Sequence, residues 1–401
     1  MTMRFSGIAE RVGGMGDKAW EIHRRAVTRH AAGQPIIVLS VGEDRTATTH
    51  PALVEVAKNA LDAGMHHYSA LTGSPAVKAG IARRHKALTG QSVAPEACCL
   101  FSGAQNALFA ALMCLSDTGD EVIAPEPYYA TYPGVTQASG ARLVTVKTDP
   151  ESDFVLDPDR LEAAVTDRTR VVLINSPNNP TGAVYPRAVM EAVADLCKRR
   201  DLWLISDEVY VDFLYDGEHV APCALPGMAE RTVTIGSLSK SHRMSGWRIG
   251  WTVSTPEFSE LLSDFACCML YGSAPFIQEA AAAALAETPL PGVEEDRAAM
   301  LTDYHRKRDI VMGALGNTPG LVLRRPSAGM FAMVDVRPTG LSDFDFAARL
   351  LDEEEVGVMT GGAFGPSAKG HIRLGLVADA DTLREACTRI DRFARKLVAG
   401  A

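Results

Sequence analysis

The chain has 401 residues, of which 47% are hydrophobic and 22% are charged, a composition typical of a soluble globular protein with two or three domains. Its formal net charge of −9 indicates no basic surface of the kind that nucleic acids bind, so we expect no nucleic-acid partner. The eight cysteines include no C-x-x-C motif, and no apolar run approaches membrane-spanning length. We therefore predict a cytoplasmic protein without membrane contact, without a disulfide framework and without a metal site.

The N-terminal part predicts a loose arm, a helix and a short strand. Helical periodicity runs from Lys18 to Ala32, and the apolar run 36–41 predicts a strand that ends at Gly42. A glycine at that point allows the backbone to approach a ligand closely, although a simple turn is the alternative.

From residue 51 onward, helix and strand patterns alternate, which is typical of a mostly parallel sheet between helices. The predicted strands lie near 98–101, 121–124, 142–147, 170–175, 202–206, 232–236 and 248–253. The main helices are predicted near 51–63, 75–88, 104–115, 186–200 and 257–286. The breaker sequence at 289–292 marks the clearest boundary, and a long helix near 294–316 follows it. A C-terminal α+β region is then predicted, with strands near 321–324, 330–335 and 371–376 and helices near 342–354 and 379–398.

Polar residues follow several of the predicted strands, at the edge where open α/β sheets bind ligands. Lys240 follows strand 232–236, Asp207 follows strand 202–206, and Gly103 lies where strand 98–101 turns into a helix. The first N–H groups of that helix are a ready anion site, and the guanidinium of Arg248 suits a phosphate. An amine able to form a Schiff base beside phosphate donors is what a pyridoxal-phosphate enzyme requires. Taken singly, these residues also fit ordinary solvated cations, a helix N-cap and a turn.

Four motifs occur in one order: Pro-Tyr-Tyr at 127–129, Asn-Ser-Pro-Asn-Asn-Pro-Thr-Gly at 175–182, Ser-Asp-Glu-Val-Tyr at 206–210, and Ser-Leu-Ser-Lys with Gly-Trp-Arg-Ile-Gly within 237–250. Together they resemble the class I aminotransferases of fold type I, over nearly the whole chain. The resemblance implies an α/β fold, with a mostly parallel seven-stranded sheet between helices in a large domain and a smaller α+β domain. We expect the N-terminal arm and part of the small domain in residues 1–45, the large cofactor-binding domain in 46–288, and the C-terminal small domain in 289–401.

The resemblance implies roles for side chains around the ring of pyridoxal 5′-phosphate. Lys240 would hold the cofactor as an internal aldimine and then move the proton between the substrate Cα and the cofactor C4′. Asp207 would pair with the pyridine nitrogen, and Tyr210 and Asn179 would hydrogen-bond the 3′-oxygen. Tyr129 would lie against the ring face.

Other residues are expected, by the same resemblance, to bind the phosphate and the substrate carboxylate. The expected phosphate site comprises Gly103, Ala104, Gln105, Ser237, Ser239 and Arg248. Tyr68 matches a tyrosine that reaches the phosphate of the neighbouring subunit, which implies a homodimer with shared active sites; an ordinary core tyrosine is the alternative. Arg373 would grip the substrate α-carboxylate, with Gly42 and Asn179 beside it.

The substrate side chain is less well defined by the sequence. Several stretches, among them Asp-Gly-Glu-His-Val at 216–220, are most similar to bacterial arginine–pyruvate transaminases. No lysine or arginine occurs between Trp251 and Asp296, where dicarboxylate-specific relatives place an arginine. Glu43 and Asp44 are candidates for contact with a guanidinium, or solvated loop carboxylates. The loop that contains them departs from the family pattern Gly-x-Pro-x-Phe and includes Arg45.

The sequence therefore predicts transamination of an L-amino acid by ping-pong chemistry through Lys240. Arginine is the expected donor, and pyruvate or another 2-oxo acid is the expected acceptor. The alternatives are an aromatic, neutral or aspartate-type donor, or a β-C–S lyase, which would use the same lysine and aspartate. A transcriptional regulator would need a DNA-binding domain before the first strand, where only about 35 residues occur. A non-catalytic binding protein would be expected to lose Lys240 or Asp207, and both are present.

Overall fold

The structure is a computed structural model that describes residues 5–12, 20–44 and 47–400. Lys18, where the first long helix is predicted to begin, and Arg45 lie outside these residues. The helices are α1 Gly7–Val12, α2 Glu21–Ala31, α3 Pro51–Asp62, α4 Pro75–Thr89, α5 Ala104–Leu115, α6 Tyr132–Ser139, α7 Pro158–Ala164, α8 Arg187–Arg200, α9 Pro256–Met269, α10 Pro275–Ala284, α11 Val293–Leu315, α12 Asp343–Glu354 and α13 Ala380–Ala399. The strands are β1 Ile37–Val38, β2 Cys98–Phe101, β3 Glu121–Glu126, β4 Arg142–Lys147, β5 Thr169–Asn175, β6 Trp203–Asp207, β7 Thr232–Ser237, β8 Gly250–Val253, β9 Val322–Leu323, β10 Phe331–Asp335, β11 Val356–Gly357, β12 Met359–Thr360 and β13 His371–Gly375.

The large sheet has seven strands in the order β2-β8-β7-β6-β5-β3-β4. Strand β8 is antiparallel to both of its neighbours, and the other pairs are parallel. The predicted mostly parallel, seven-stranded α/β sheet is therefore confirmed.

Helices cover both faces of this sheet, which explains its continuous apolar strands. In β5, Val172 and Ile174 pack toward the side covered by α8, while Val171 and Leu173 pack toward the side covered by α5 and α9. All four side chains are fully buried. Because successive side chains of a strand point to opposite faces of the sheet, one run of apolar residues contributes to two hydrophobic cores.

A second sheet has the order β12-β13-β10-β9 with antiparallel pairs, and β1 pairs in parallel with β11. Its core includes residues of α2, α11, α12 and α13, so the N-terminal helix packs with the C-terminal part of the chain. None of the helices in the described ranges is long and apolar enough to cross a membrane.

Two elements differ from the sequence prediction. The apolar helical region 257–286 is two helices, α9 and α10, because the chain turns through Gly272 at a positive φ of 93° before Pro275 starts the next helix. The strand predicted over 36–41 is only Ile37–Val38. Beyond it the backbone carbonyl of Ser40 accepts a hydrogen bond from an arginine side chain, so it serves the site described below.

Candidate active site

The carboxyl ends of β5, β6 and β7 lie side by side in the large sheet and bring together the polar residues that follow them. Asn175 at the end of β5 pairs in register with Asp207 at the end of β6, and β7 ends next to them at Ser237. Two cavities, of about 160 Å³ and about 570 Å³, open at this edge and share Tyr129, Asn179, Tyr210 and Lys240 as lining residues. The edge of the sheet that was predicted to bind a ligand therefore contains cavities.

One end of the smaller cavity is built for an anion. It is lined by the N-terminus of α5 at Ala104 and Gln105, by Ser237 and Ser239, and by Arg248. The first N–H groups of a helix have no partner within it, so those of α5 can donate to a bound anion. All the residues expected to bind phosphate therefore meet at this point, with Gly103 as the cap of the helix.

Glycine is required at two positions of this anion site. Gly103 has a positive φ of 91°, and a Cβ there would overlap the guanidinium of Arg248. A Cβ on Gly250, in β8, would overlap the backbone N–H of Ala104. Both glycines allow the strand, the helix and the arginine to approach as closely as the site needs.

Asp207 lies in the middle of the smaller cavity, with 9% of its surface exposed. Burial raises the pKa of its carboxyl group to about 6, although the hydrogen bond from Tyr132 acts in the opposite direction. The Tyr132 hydroxyl donates to Oδ2 at 2.7 Å, and the N–H of Val209 donates to Oδ1 at 3.3 Å. A buried carboxylate held at both oxygens is suited to a positively charged partner.

The Lys240 amine faces the cavities and donates to the carbonyl oxygen of Gly42 at 2.6 Å. Burial lowers the pKa of Lys240 to about 8, and the charges of Arg373 and Arg248 lower it further, while Glu43 raises it. The neutral amine that a nucleophile or a base needs is therefore accessible slightly above neutral pH.

Arg373, on β13, lies in the wall of the larger cavity and is almost completely buried. Nη1 donates to Oδ1 of Asn179 at 2.9 Å, and Nη2 donates to the carbonyl of Ser40 at 2.7 Å. Its guanidinium is flanked by the rings of Phe331, at 4.0 Å, and Phe364, at 4.7 Å. The planar fork is thus fixed in orientation and available to a carboxylate.

Asn179 links this arginine to the site of the smaller cavity. Its Nδ2 donates to the hydroxyl of Tyr210 at 3.2 Å, while its N–H donates to Oδ1 of Asn175 at 2.7 Å. Burial raises the pKa of Tyr210, so the hydroxyl keeps its proton and can donate it to an acceptor. Tyr129 lines both cavities and makes an edge contact with Tyr132, with ring centroids 5.9 Å apart.

Tyr68 lies apart from both cavities. It is 87% exposed and packs edge-on against Tyr271, with ring centroids 5.1 Å apart. The alternative of a core tyrosine is wrong for this position.

The two acidic residues after Gly42 face different surroundings. Glu43 lines the larger cavity and accepts a hydrogen bond from Ser245 at 2.9 Å. Asp44 lines an outer pocket together with Glu43 and lies near Tyr304, whose pKa it helps to raise. Both candidates for contact with a guanidinium border a small pocket that Lys240 also lines, and of the two only Glu43 also lines the larger cavity.

Several site residues were not anticipated from the sequence. Tyr132 gives no local signal beyond its position three residues after Tyr129, and it reaches Asp207 only because α6 crosses the end of β6. Phe331 and Phe364 resemble ordinary core residues in the sequence. Phe331 lies two positions before Met333, the residue that pairs with Arg373 across the strands. Aromatic residues occur too often at such positions for the sequence to single out a site.

The residues of the smaller cavity fit pyridoxal 5′-phosphate. The same cavity is lined by donors for a phosphate, by a buried carboxylate that could pair with the pyridine nitrogen, and by an amine with a lowered pKa. The glycines at 103 and 250 leave the room that such a phosphate requires.

Comparisons with known proteins agree with this geometry. Residues 34–390 match the family "Aminotransferase class I and II". Arginine–pyruvate transaminase AruH of Pseudomonas aeruginosa is 50% identical over 399 residues, covering 100% of both chains, and the aspartate/prephenate aminotransferase of Thermus thermophilus is 35% identical, covering 98% of this chain and 99% of the relative. Among solved structures, a single mutant of Thermus thermophilus aspartate aminotransferase superposes with a TM-score of 0.91 at 32% identity, covering 98% of this chain and 100% of the other. The chain therefore belongs to the class I and II aminotransferases, enzymes of fold type I that depend on pyridoxal phosphate.

Proposed function

We propose that this aminotransferase uses L-arginine as its amino donor and pyruvate or another 2-oxo acid as its acceptor. The observation that carries the choice of donor is the 50% identity, along the full length of both chains, with an arginine–pyruvate transaminase. The charge of the larger cavity supports it. Lys240 and Arg373 are the lysine and arginine among its described lining residues, and both are assigned to the amino and α-carboxylate end, so a dicarboxylate donor would have no further lysine or arginine for its side chain.

We propose that the cofactor phosphate binds to the α5 N-terminus with Ser237, Ser239 and Arg248. When bound, pyridoxal phosphate supplies an aldehyde that condenses with amines and a ring that withdraws electrons from the substrate Cα. Asp207 would keep the pyridine nitrogen protonated, because its buried carboxylate would gain a positive partner there. Tyr129, which lines the same cavity, would hold the ring at its face.

The remaining residues act on the substrate and its proton. Lys240, as a neutral amine, would accept the proton of the substrate Cα at Nζ and hold it for return to the reacting group. Tyr210 and Asn179, which are hydrogen-bonded to each other, would hold the cofactor at its 3′-oxygen. The preset fork of Arg373 binds the α-carboxylate, which every amino acid has, so Arg373 selects for amino acids in general.

We propose that two copies of the chain form a homodimer with shared active sites. Support comes from two adjacent aromatic side chains, Tyr68 at 87% and Tyr271 at 54% exposure, whose rings pack edge-on and form a contiguous exposed apolar surface. In a dimer, Tyr68 reaches the phosphate site of the partner subunit. Light scattering should report two chains per particle, and Tyr68→Ala should raise the pyridoxal phosphate concentration needed for half-saturation; a monomer that binds the cofactor normally would contradict the proposal.

The division into residues 1–45, 46–288 and 289–401 remains our proposal for the domains. It is supported by one hydrophobic cluster that lies mainly around the four-stranded sheet and two that lie mainly around the large sheet, with Met333 and Met359 of the small sheet joining one of the latter. A cytoplasmic location is also proposed, since all eight cysteines are free thiols, as expected in a reducing compartment.

The decisive experiment is a single-turnover absorbance assay of the cofactor-loaded enzyme without 2-oxo acid. Arginine, ornithine, alanine, phenylalanine, aspartate and methionine are each mixed with the enzyme, and conversion of the bound cofactor to its amino form is followed. Arginine should convert it fastest, and Lys240→Ala should abolish the conversion. Fastest conversion by another amino acid would overturn the donor, and steady release of ammonia with a 2-oxo acid would indicate a lyase.

A further inference from the structure

The wall of the larger cavity, which Lys240 also lines, includes one face of helix α2. Trp20, His23, Val27 and His30 all line the cavity, at spacings of three, four and three residues. This is the spacing of neighbours on one face of a helix. The cavity volume of about 570 Å³ lies within the range of small-molecule sites, so there is room for a substrate side chain between this face and the reacting end.

Positively and negatively charged side chains both line this cavity. Lys240 and Arg373, its lysine and arginine among the described residues, belong to the end proposed to bind the amino and carboxylate groups. The carboxylate of Glu43 interacts with Lys240, and Asp379 also lines the cavity. Asp379, at the N-terminus of α13, stays ionised because hydrogen bonds from Thr382 lower its pKa. These carboxylates would attract a cationic substrate side chain and repel an anionic one.

The indole ring of Trp20 is held by contacts on this wall. It packs against the hydrophobic cluster that includes Phe364 and makes an edge contact with the ring of His23, with centroids 5.6 Å apart and planes at 75°. Tryptophan offers the strongest aromatic face for a cation, and a guanidinium is planar enough to stack on it.

His23 connects the same helix face to the carboxylate end of the site. Its Nδ1 lies 2.8 Å from Oγ of Ser40, and the carbonyl of Ser40 accepts the hydrogen bond from Arg373. The position of α2 is therefore tied to the position of the arginine that binds the α-carboxylate, whichever amino acid is bound.

We propose that the α2 face is the side-chain subsite for a planar cation, in which Trp20 stacks on the guanidinium of the donor and Asp379 supplies a negative charge. His23 is a positioning residue that holds the helix, through Ser40, against Arg373. The proposal rests on arginine as the donor, and it adds the residues that distinguish arginine from neutral amino acids of the same shape.

The test compares arginine with citrulline, whose urea group has the shape of a guanidinium without its charge. For Trp20→Leu, the ratio of kcat/KM for arginine to that for citrulline should fall about tenfold, the value of one desolvated cation–aromatic contact. Asp379→Ser keeps a residue that can cap α13 and removes the charge, so the ratio should fall there too. Thr28→Ala, on an exposed part of α2 outside the cavity wall, is the matched control and should leave the ratio unchanged.

The positioning role of His23 has a different signature. His23→Gln should lower kcat/KM for arginine and citrulline by the same factor, and His23→Asn, whose amide nitrogen occupies the place of Nδ1, should recover part of the loss. A loss confined to arginine would instead make His23 a direct ligand of the guanidinium and would overturn the positioning role.

A binding measurement separates the subsite from catalysis. 5-Guanidinopentanoate, which is arginine without its amino group, should bind the holoenzyme more tightly than 5-ureidopentanoate in calorimetry, and Trp20→Leu should remove most of that difference. If the wild-type enzyme prefers arginine while Trp20→Leu and Asp379→Ser keep the full preference, the proposed subsite is wrong and arginine remains the donor. If the wild-type enzyme does not convert arginine, both the proposed donor and the proposed subsite are wrong.

Discussion

Replacement of Asp207 by asparagine should stabilise the cofactor-free protein while impairing the enzyme. Burial raises the pKa of this carboxyl from 3.8 to about 6, so the folded chain binds a proton there that the unfolded chain has lost. The stability that this group contributes is complete below pH 3.8 and is lost as the pH rises through about 6. A difference of two pKa units at roughly 1.4 kcal/mol each amounts to a cost of roughly 3 kcal/mol at neutral pH. Asparagine has the same shape, carries no charge and escapes this cost.

Urea unfolding of the cofactor-free protein at several pH values measures this effect. The free energy of unfolding of Asp207→Asn, relative to wild type, should increase by roughly 3 kcal/mol between pH 4 and pH 7.5. Asp195→Asn is the control with the opposite sign, since Lys198 lowers the pKa of that exposed carboxyl and neutralising it removes a favourable interaction at higher pH.

The cofactor should reverse the order of stability. With pyridoxal phosphate bound, the wild-type carboxylate has a cationic partner, so the cofactor should raise the Tm of wild type more than that of Asp207→Asn. Transamination by the variant should fall on the order of a hundredfold or more, because a preorganised charge is missing. If the difference in unfolding free energy between wild type and Asp207→Asn does not change with pH, burial of the Asp207 carboxylate does not destabilise the cofactor-free protein.

Three further variants test other parts of the site. Glu43→Gln should lower the pKa of Lys240 below about 8, because Glu43 raises it, and the pH midpoint for recombination with pyridoxal phosphate should move down; an upward movement would contradict this. Gly250→Ala should weaken cofactor binding on the order of tenfold in a fluorescence titration, since the new Cβ displaces a backbone N–H of the anion site; unchanged affinity would argue against that site. Tyr132→Phe should raise the pKa of Asp207 further, so the acid limb of the kcat/KM profile should move to higher pH, and an unmoved limb would assign Tyr132 a packing role only.

The ligand edge of the large sheet could be predicted because local patterns define it. Apolar runs determine where β5, β6 and β7 end, and parallel strands must have their carboxyl ends at one edge. Asn175 and Asp207 end their strands and Lys240 comes three residues after β7, so their meeting is a consequence of strand order rather than of distant packing. The family motifs then supplied roles for Asp207 and Lys240, which local patterns alone left open.

The surroundings that tune these residues were decided by tertiary structure. Tyr132 contacts Asp207 across 75 positions of sequence, and Ser40 contacts Arg373 across 333. No local pattern encodes such contacts, because they depend on how separate helices and sheets pack. Glu43 and Asp44 illustrate the point, since these sequence neighbours share an outer pocket while only Glu43 also lines the larger cavity.

The sequence by itself determined the fold class, the edge of the sheet that binds the cofactor and the identity of its main groups, because strand ends and their polar residues are local features. Only the tertiary structure decided which wall faces the substrate side chain. That wall combines an N-terminal helix with a C-terminal one, and its Trp20 and Asp379 lie hundreds of residues apart in the chain. Burial, which sets the pKa of Asp207 and Lys240, likewise exists only after both parts have packed together.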